Sequence, residues 1–344
     1  MKKKSITAVT TGLLVAAAVV ITALASFGVV NQYLQSVLMS IGINIIFAAS
    51  LNIVNGYMGE FSCGHAGFMA VGAYVSSVIS IILFTENKFF GHPLLPPESA
   101  LALFPVVIAA GGVAAAFAGL IVAIPSFKTR DDYLAIITLA SNYIIITAIN
   151  NMEIVGASRG LMGMKGTSFA MNDAVPLPWT LIWIFVFVFI CVTLIKRLMS
   201  SALGKCISAI RYDEVSAEIM SVDTNRIKML AFMFSSGLAG IAGGLFAHQL
   251  GFINPSSFSI LKSTEGMVMV YLGGMGSLSG SVLSAVLFTF LLEILRPLQI
   301  FKWVLIPLLL ILLMQFRPEG LLGNKELGGV LSNLSKKRVL WKKS

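Results

Sequence analysis

Charge is what this chain has least of. Only 11% of its 344 residues are Asp, Glu, Lys or Arg, against 57% that are hydrophobic. With a mean hydropathy of +0.91, it cannot clothe a soluble fold in polar side chains. Acids are scarcer than bases, 15 against 24, and Glu293 alone lies well inside an apolar run. Intramembrane carboxylates mark ion and proton pathways, so an ion-coupled secondary carrier has thin support. Cysteine is limited to Cys63, Cys191 and Cys206, with no ligand spacing, which argues against a disulfide framework or a metal site. There is no G-x-x-x-x-G-K-[ST] phosphate loop, no H-E-x-x-H, no pair of acids within a span and no nucleophile beside a base. Nucleotide hydrolysis and membrane-embedded catalysis therefore have no residues to carry them.

What is abundant is apolar length. Runs long enough to cross hydrocarbon as helices, or slightly short of that, lie at 6–27, 33–54, 64–84, 100–124, 133–149, 179–195, 229–250, 266–275, 281–295 and 301–316. They predict an all-α, polytopic membrane protein of about ten transmembrane helices, a single domain over 1–344. Lys and Arg retained on the cytoplasmic side set orientation. With the N-terminus inside, eighteen basic residues fall on inner segments and six on outer loops, accounting for all 24. An even number of spans with both termini cytoplasmic follows. The net charge of +9 thus reads as membrane orientation, not as a nucleic-acid footprint. The first run also resembles a secretory signal, with Ala23-Leu24-Ala25 as a small-residue site. Its length exceeds the ~7–15 residues of such signals and favours a retained helix.

Two glycine-rich interruptions stand out, near 56–68 and 273–281. The first reads GYMGEFSCGHAGF from Gly56, and glycine at that density lets backbone leave helical geometry and lets helices or a solute approach. Irregular backbone at membrane depth persists only where protein buries it or a watery cavity adjoins it, so broken or re-entrant segments are expected at both places. The two are alike: Gly56-x-Met58-Gly59-x-Phe61-Ser62 and Gly273-x-Met275-Gly276-x-Leu278-Ser279. Duplicated halves and chance in a glycine-rich chain explain the likeness about equally. Gly237, Gly240 and Gly243 read as a close-packing seam.

The segment 201–228 is hydrophilic and amphipathic. As one helix from Lys205, it places Arg211, Glu214 and Glu218 on one face and Cys206, Ala209, Ile210, Ala217 and Met220 on another. Asp213 falls amid the apolar face, so it either meets a cation or caps a second short helix starting at Glu214. The cap is favoured, because Asp is a strong N-cap. Such an element suits insertion into a groove on a soluble partner, or else lies on the bilayer surface.

Six stretches resemble the permease subunits of branched-chain amino-acid ABC importers. They are 51–74 (LNIVNGYMGEFSCGHAGFMAVGAY), 133–140 (YLAIITLA), 204–232 (GKCISAIRYDEVSAEIMSVDTNRIKMLAF), 251–258 (GFINPSSF), 272–280 (LGGMGSLSG) and 317–323 (RPEGLLG). The resemblance implies a coupling role for Ala209, Ile210, Arg211, Asp213, Glu214 and Ala217, docked on a cytoplasmic ATPase, followed by a basic cytoplasmic tail over 317–344. It implies a second related permease subunit, two cytoplasmic ATPase subunits that use the ATP, an extracytoplasmic solute-binding protein, and no cofactor on this chain. The solute expected is a branched-chain or related amino acid, with urea, short amides or other small polar compounds as the alternative. The chain departs from the family's pattern at Asn142, where glycine is common, at Tyr143, where glutamate is common, and at Ser221, where glycine usually follows the coupling helix. The departure at Ser221 is expected to matter less, because a helix can end without a left-handed glycine.

Along a substrate pathway, the candidates are Asn52, Gly56, Tyr57, Gly59, Ser62, Gly64, His65, Thr138 and Asn142. Their weakly polar groups suit a small zwitterionic or amide solute, and helix-to-helix hydrogen bonding explains the polar ones about as well. For His65, a local hydrogen bond is the favoured reading. For Glu293, an i,i+3 ion pair with Arg296 at the outer surface is the simpler account.

Overall fold

A computed structural model describes residues 31–85, 91–96, 99–127, 133–174, 177–316, 320, 321 and 323. The expected span at 6–27 and most of the basic tail lie outside these residues. In chain order the helices are α1 (Gln32–Asn52), α2 (His65–Phe84), α3 (Ala100–Ser126), α4 (Tyr133–Asn151), α5 (Met164–Ala174), α6 (Trp179–Ser200), α7 (Ala202–Tyr212), α8 (Glu214–Ile219), α9 (Thr224–Leu250), α10 (Ile260–Gly273), α11 (Leu278–Ile294) and α12 (Lys302–Phe316). Six of them, α1 to α4, α6 and α9, are long and apolar enough to cross a membrane. Nine of the ten expected runs fall on described residues, and each coincides with one helix. The described protein is an all-α polytopic membrane protein. Its strands are the two-residue β1 (Leu161–Met162) and β2 (Phe252–Ile253), paired antiparallel with Leu161 opposite Ile253.

α9 runs through the centre because its small residues let two helices approach at backbone distance. A Cβ on Gly243 would lie 1.9 Å from the Met69 carbonyl oxygen of α2, and one on Gly240 would lie 2.3 Å from Cβ of Ala115 of α3. The glycine seam is therefore a packing seam, as the spacing suggested. Phe232 fills the space below it, edge-on to Phe68 and Phe127 at 5.4 and 5.8 Å between ring centroids.

The chain reverses at both glycine interruptions, and both reversals sit at the end of the bundle that carries α7 and α8. α1 starts at the opposite end, where the Tyr33 hydroxyl donates to Glu293 and Arg296 pairs with Glu293 at 3.0 Å. The expected i,i+3 ion pair is present. From there α1 descends and widens into a π-helical turn (Ile53–Met58), which ends at Gly59 with φ +81°. Five residues later α2 climbs back. α10 and α11 repeat the manoeuvre around Gly276, φ +80°. The interruptions are thus the turning points between successive helices. The tail returns to the second of them, where the Leu321 amide donates to the Leu272 carbonyl at 2.8 Å.

Candidate functional site

Three N-caps shape the elbow formed by α7 and α8. Ser201 Oγ accepts from the Gly204 amide at 3.4 Å, Asp213 Oδ1 from Ser216 at 3.1 Å and Asp223 Oδ1 from Arg226 at 3.1 Å. Asp213 also accepts from the Ser216 hydroxyl at 2.6 Å. The hydroxyl and amide bonds together hold its carboxyl below the usual aspartate value. Asp213 therefore caps the second helix.

The break at Asp213 overturns the single-face reading of the segment. Glu214 turns to Lys228, Glu218 accepts from the Thr224 hydroxyl at 2.9 Å, and Arg211 leans on the chain reversals. Gly204, Ile207, Ile210 and Ala217 make the buried side. The expected apolar face is divided: Ile210 and Ala217 are buried, while Ala209 and Met220 are exposed. Tyr212, Val215 and Ile219 join Met220 to give an exposed apolar ridge. The end of α8 closes without glycine, as expected. Ser221 adopts φ +64°, its amide bonds the Glu218 carbonyl at 2.9 Å, and the Val222 amide bonds the Ala217 carbonyl at 3.1 Å. This is a Schellman closure with serine in the left-handed place that glycine prefers.

Arg211 brings the two similar motifs to one point. A Cβ on Gly59 would lie 2.9 Å from Arg211 Cγ, and one on Gly276 would lie 2.6 Å from Arg211 Nη1. Only glycine leaves this room while accepting the positive φ. Asn52 ties the motifs on their buried side: its Oδ1 accepts from the Gly276 amide at 3.0 Å, and its Nδ2 donates to the Ser277 carbonyl at 3.1 Å. Gly56 is required at the same contact, since a Cβ there would lie 1.7 Å from Asn52 Oδ1. Beside it Lys228 Nζ meets Glu60 Oε1 at 2.6 Å and Glu214 Oε2 at 2.8 Å.

The remaining pathway candidates line the other side of the first reversal. Ser62 is buried, its amide donating to Asn55 Oδ1 at 3.2 Å, while Gly59 is exposed and Tyr57 half-buried. Thr138 of α4 accepts from the Cys63 amide at 3.2 Å, and a Cβ on Gly64 would strike the Thr138 carbonyl at 2.1 Å. Asn142, one turn on, faces Gly67, and neither polar atom of its buried amide has a hydrogen-bond partner among the described residues. His65 bonds Ser50 Oγ of α1 at 3.0 Å through Nε2, the local role favoured for it. Its Nδ1, and Ser62 Oγ, are likewise without a partner among the described residues. A cluster of buried, unsatisfied polar atoms is unusual in a packed interior. It supplies donors and acceptors of the kind a small polar solute uses.

The family described as "Branched-chain amino acid transport system / permease component" matches residues 33–314, which include every residue of this site. The chain belongs to that family. It is 32% identical over 304 residues to the high-affinity branched-chain amino acid transport system permease protein LivM of Escherichia coli (strain K12), covering 81% of this chain and 68% of the relative. The LivM protein of Salmonella typhimurium is 32% identical over 310 residues, with the same coverage. The permease protein LivH of Escherichia coli (strain K12) is 23% identical over 293 residues, 82% of this chain and 91% of the relative. No solved structure matches.

As a permease of this family, the chain is a transport protein and not an enzyme. Three of its site residues escaped sequence reasoning. Glu60 and Lys228 are 168 residues apart and carry no local pattern, so only the fold pairs them. Gly276 was within reach, since the motif repeat aligns it with Gly59, a position singled out on its own merits.

Proposed function

We propose that this chain is the permease subunit of an ATP-driven ABC importer that moves branched-chain or related small amino acids across the cytoplasmic membrane. The observation that carries the reading is the exposed apolar ridge of Tyr212, Val215, Ile219 and Met220 on a capped elbow, in a chain of a transport-permease family. A ridge of this kind on an otherwise charged segment suits the groove of a soluble partner. The partners are two cytoplasmic ATPase subunits at the elbow, a second related permease subunit alongside, and an extracytoplasmic solute-binding protein at the opposite end. This chain binds no cofactor, and the ATPase subunits consume the ATP. Ala209, Ile210, Arg211, Asp213, Glu214 and Ala217 belong to the coupling segment 201–228, in which Ile210 and Ala217 hold the elbow to the bundle. Asn52, Ser62, His65, Thr138 and Asn142 line the solute path beside the first reversal.

Orientation follows from the same reading. The described helices enter at the end opposite the elbow and finish at the elbow end. Adding the run at 6–27 as a tenth helix places both termini, the elbow and the tail at 317–344 in the cytoplasm, in one transmembrane domain over 1–344 surrounded by lipid. The test is leucine uptake by vesicles containing the chain with its partner subunits. Uptake is expected to follow ATP and to survive collapse of ion gradients; uptake that follows the gradients refutes the reading. Val215→Asp and Tyr212→Asp are expected to abolish co-purification of the ATPase subunits while the permease stays inserted.

A further inference from the structure

Two cations connect the elbow to the chain reversals, and neither connection is local in sequence. Lys228 stands in the first turns of α9, 7% exposed, between a carboxylate from the first reversal and one that opens α8. The other ion pairs described, Lys262–Glu265 and Arg296–Glu293, each span three residues. Those are local ties between neighbouring residues, whereas Lys228 fastens three segments to each other. Arg211, at the end of α7, lies across the left-handed glycines of both reversals. Displacement of the elbow therefore cannot leave the turns untouched: it either drags Glu60 through Lys228 or drives the Arg211 guanidinium against Gly276.

We infer that Lys228, Glu60 and Arg211 are positioning residues for transport, converting movement of the α7–α8 elbow into movement of the α1–α2 and α10–α11 reversals. The inference rests on the elbow being the ATPase dock, and it adds what happens on the inner side of that dock. A physical network with two arrangements is what coupling requires, and an ion triad that can exchange partners provides one. Electrostatics ranks the members. With Lys228 gone, Glu60 and Glu214 are left facing each other without the shared cation, an uncompensated arrangement in a partly buried place. With Glu60 gone, Lys228 keeps Glu214, so the elbow stays attached to α9 and Arg211 stays against the glycines, while the ionic tie to the first reversal is lost.

Glu60→Gln is the decisive variant, tested in the whole importer reconstituted with its ATPase subunits and second permease. Co-purification of the ATPase subunits should be unchanged and ATP hydrolysis within about twofold of the unmodified importer, while leucine uptake falls about tenfold. The ATP consumed per leucine then rises by a similar factor. Lys228→Met should raise that ratio further, and Lys228→Arg should restore it to within about threefold, since a guanidinium reaches both carboxylates. A readout without solute uses Cys63, half-buried three residues after Glu60. ATP should change its rate of maleimide modification at least threefold in the unmodified importer and leave it unchanged in Glu60→Gln. If uptake and hydrolysis fall together with their ratio constant, or if Cys63 still responds to ATP in Glu60→Gln, the inference is overturned. Should Lys228→Met fail to accumulate, Arg211→Ala leaves the triad intact: a ratio raised at least fivefold supports the inference and an unchanged ratio refutes it. Loss of the dock itself is a separate result, read from ATPase co-purification with the Val215→Asp and Tyr212→Asp chains.

Discussion

The two reversals share a motif, a left-handed glycine and a contact with Arg211, yet they are fastened in opposite ways. Aligned on Gly59 and Gly276, the next position is Glu60 in one and Ser277 in the other. Glu60 reaches out of its own segment to Lys228, and five non-helical residues separate Gly59 from α2. Ser277 turns inward as the N-cap of α11, accepting from the Gly280 amide at 3.1 Å, and Asn52 grips its backbone from α1. The same local conformation thus serves once as a long loop held by charge and once as a tight turn held by buried hydrogen bonds. A charge tie to an outside element can be shifted by moving that element. A capped turn gripped by a buried amide moves only as a unit with the helix that grips it.

Breaking the junction between the two should have the largest effect. In Gly56→Ala the added methyl meets Asn52 Oδ1 at 1.7 Å and the Gly276 amide nitrogen at 2.5 Å, the first fully buried and the second backbone. The loss expected is about 3 kcal/mol or more, read as a protein that no longer elutes as a single species from mild detergent. Next comes Asn52→Leu. It fills similar volume but leaves the Gly276 amide unsatisfied and takes one donor from the Ser277 carbonyl, which keeps the Ser281 amide and hydroxyl, costing about 2 kcal/mol. Thermal unfolding should show a lowered midpoint, and solvent exchange should quicken at the second reversal more than at the first. Equal quickening at both would mean that Asn52 does not distinguish them.

Much of this arrangement was legible before any coordinates. Apolar run length located the helices because the bilayer imposes one requirement on every span, and Gly237, Gly240 and Gly243 announced the seam because only small residues let backbones touch. Asp213 was readable as a cap since its geometry is settled within three residues. What was not legible is whatever two distant segments decide jointly. The single-face reading of Arg211, Glu214 and Glu218 assumed a continuous helix, and the cap at Asp213 rotated the second half away. Ala209 and Met220 were grouped with Ile210 and Ala217 on one apolar face for the same reason. The glycine segments were visible as interruptions, but whether a break lies at mid-depth or at a turning point depends on where the flanking helices end. Tyr33 meeting Glu293, and Lys228 meeting Glu60, fix those ends.

A smaller effect sharpens the comparison at the elbow. Ser221 holds φ +64° without being glycine or asparagine, whereas each reversal meets the same demand with glycine. Ser221→Gly should relieve about 1 kcal/mol of backbone strain. An unfolding midpoint raised by a few degrees, with uptake unchanged, is the expected outcome. A lowered midpoint would show that the serine side chain contributes something that outweighs the strain.

The smallest effect asks whether the elbow keeps its shape independently of the reversals. Asp213 is held below its ordinary value of 3.8 by the Ser216 hydroxyl first and the Ser216 amide second, so its contribution is present above the unfolded value and fades as pH falls through the folded one. That window lies entirely below about pH 4. Hydrogen exchange at the Ser216 and Ala217 amides, corrected for intrinsic rates, should therefore show constant protection from pH 7 to 5. In Asp213→Asn, which keeps an acceptor and cannot titrate, the decline at lower pH should disappear. The triad of Lys228, Glu60 and Glu214 is a second set of charges at this end, and its loss would be felt at the reversal as well as at α8. Protection at α8 that falls at pH 7 in Lys228→Met, with the Asp213 cap left in place, would show that the elbow takes its shape from the triad and not from its own cap.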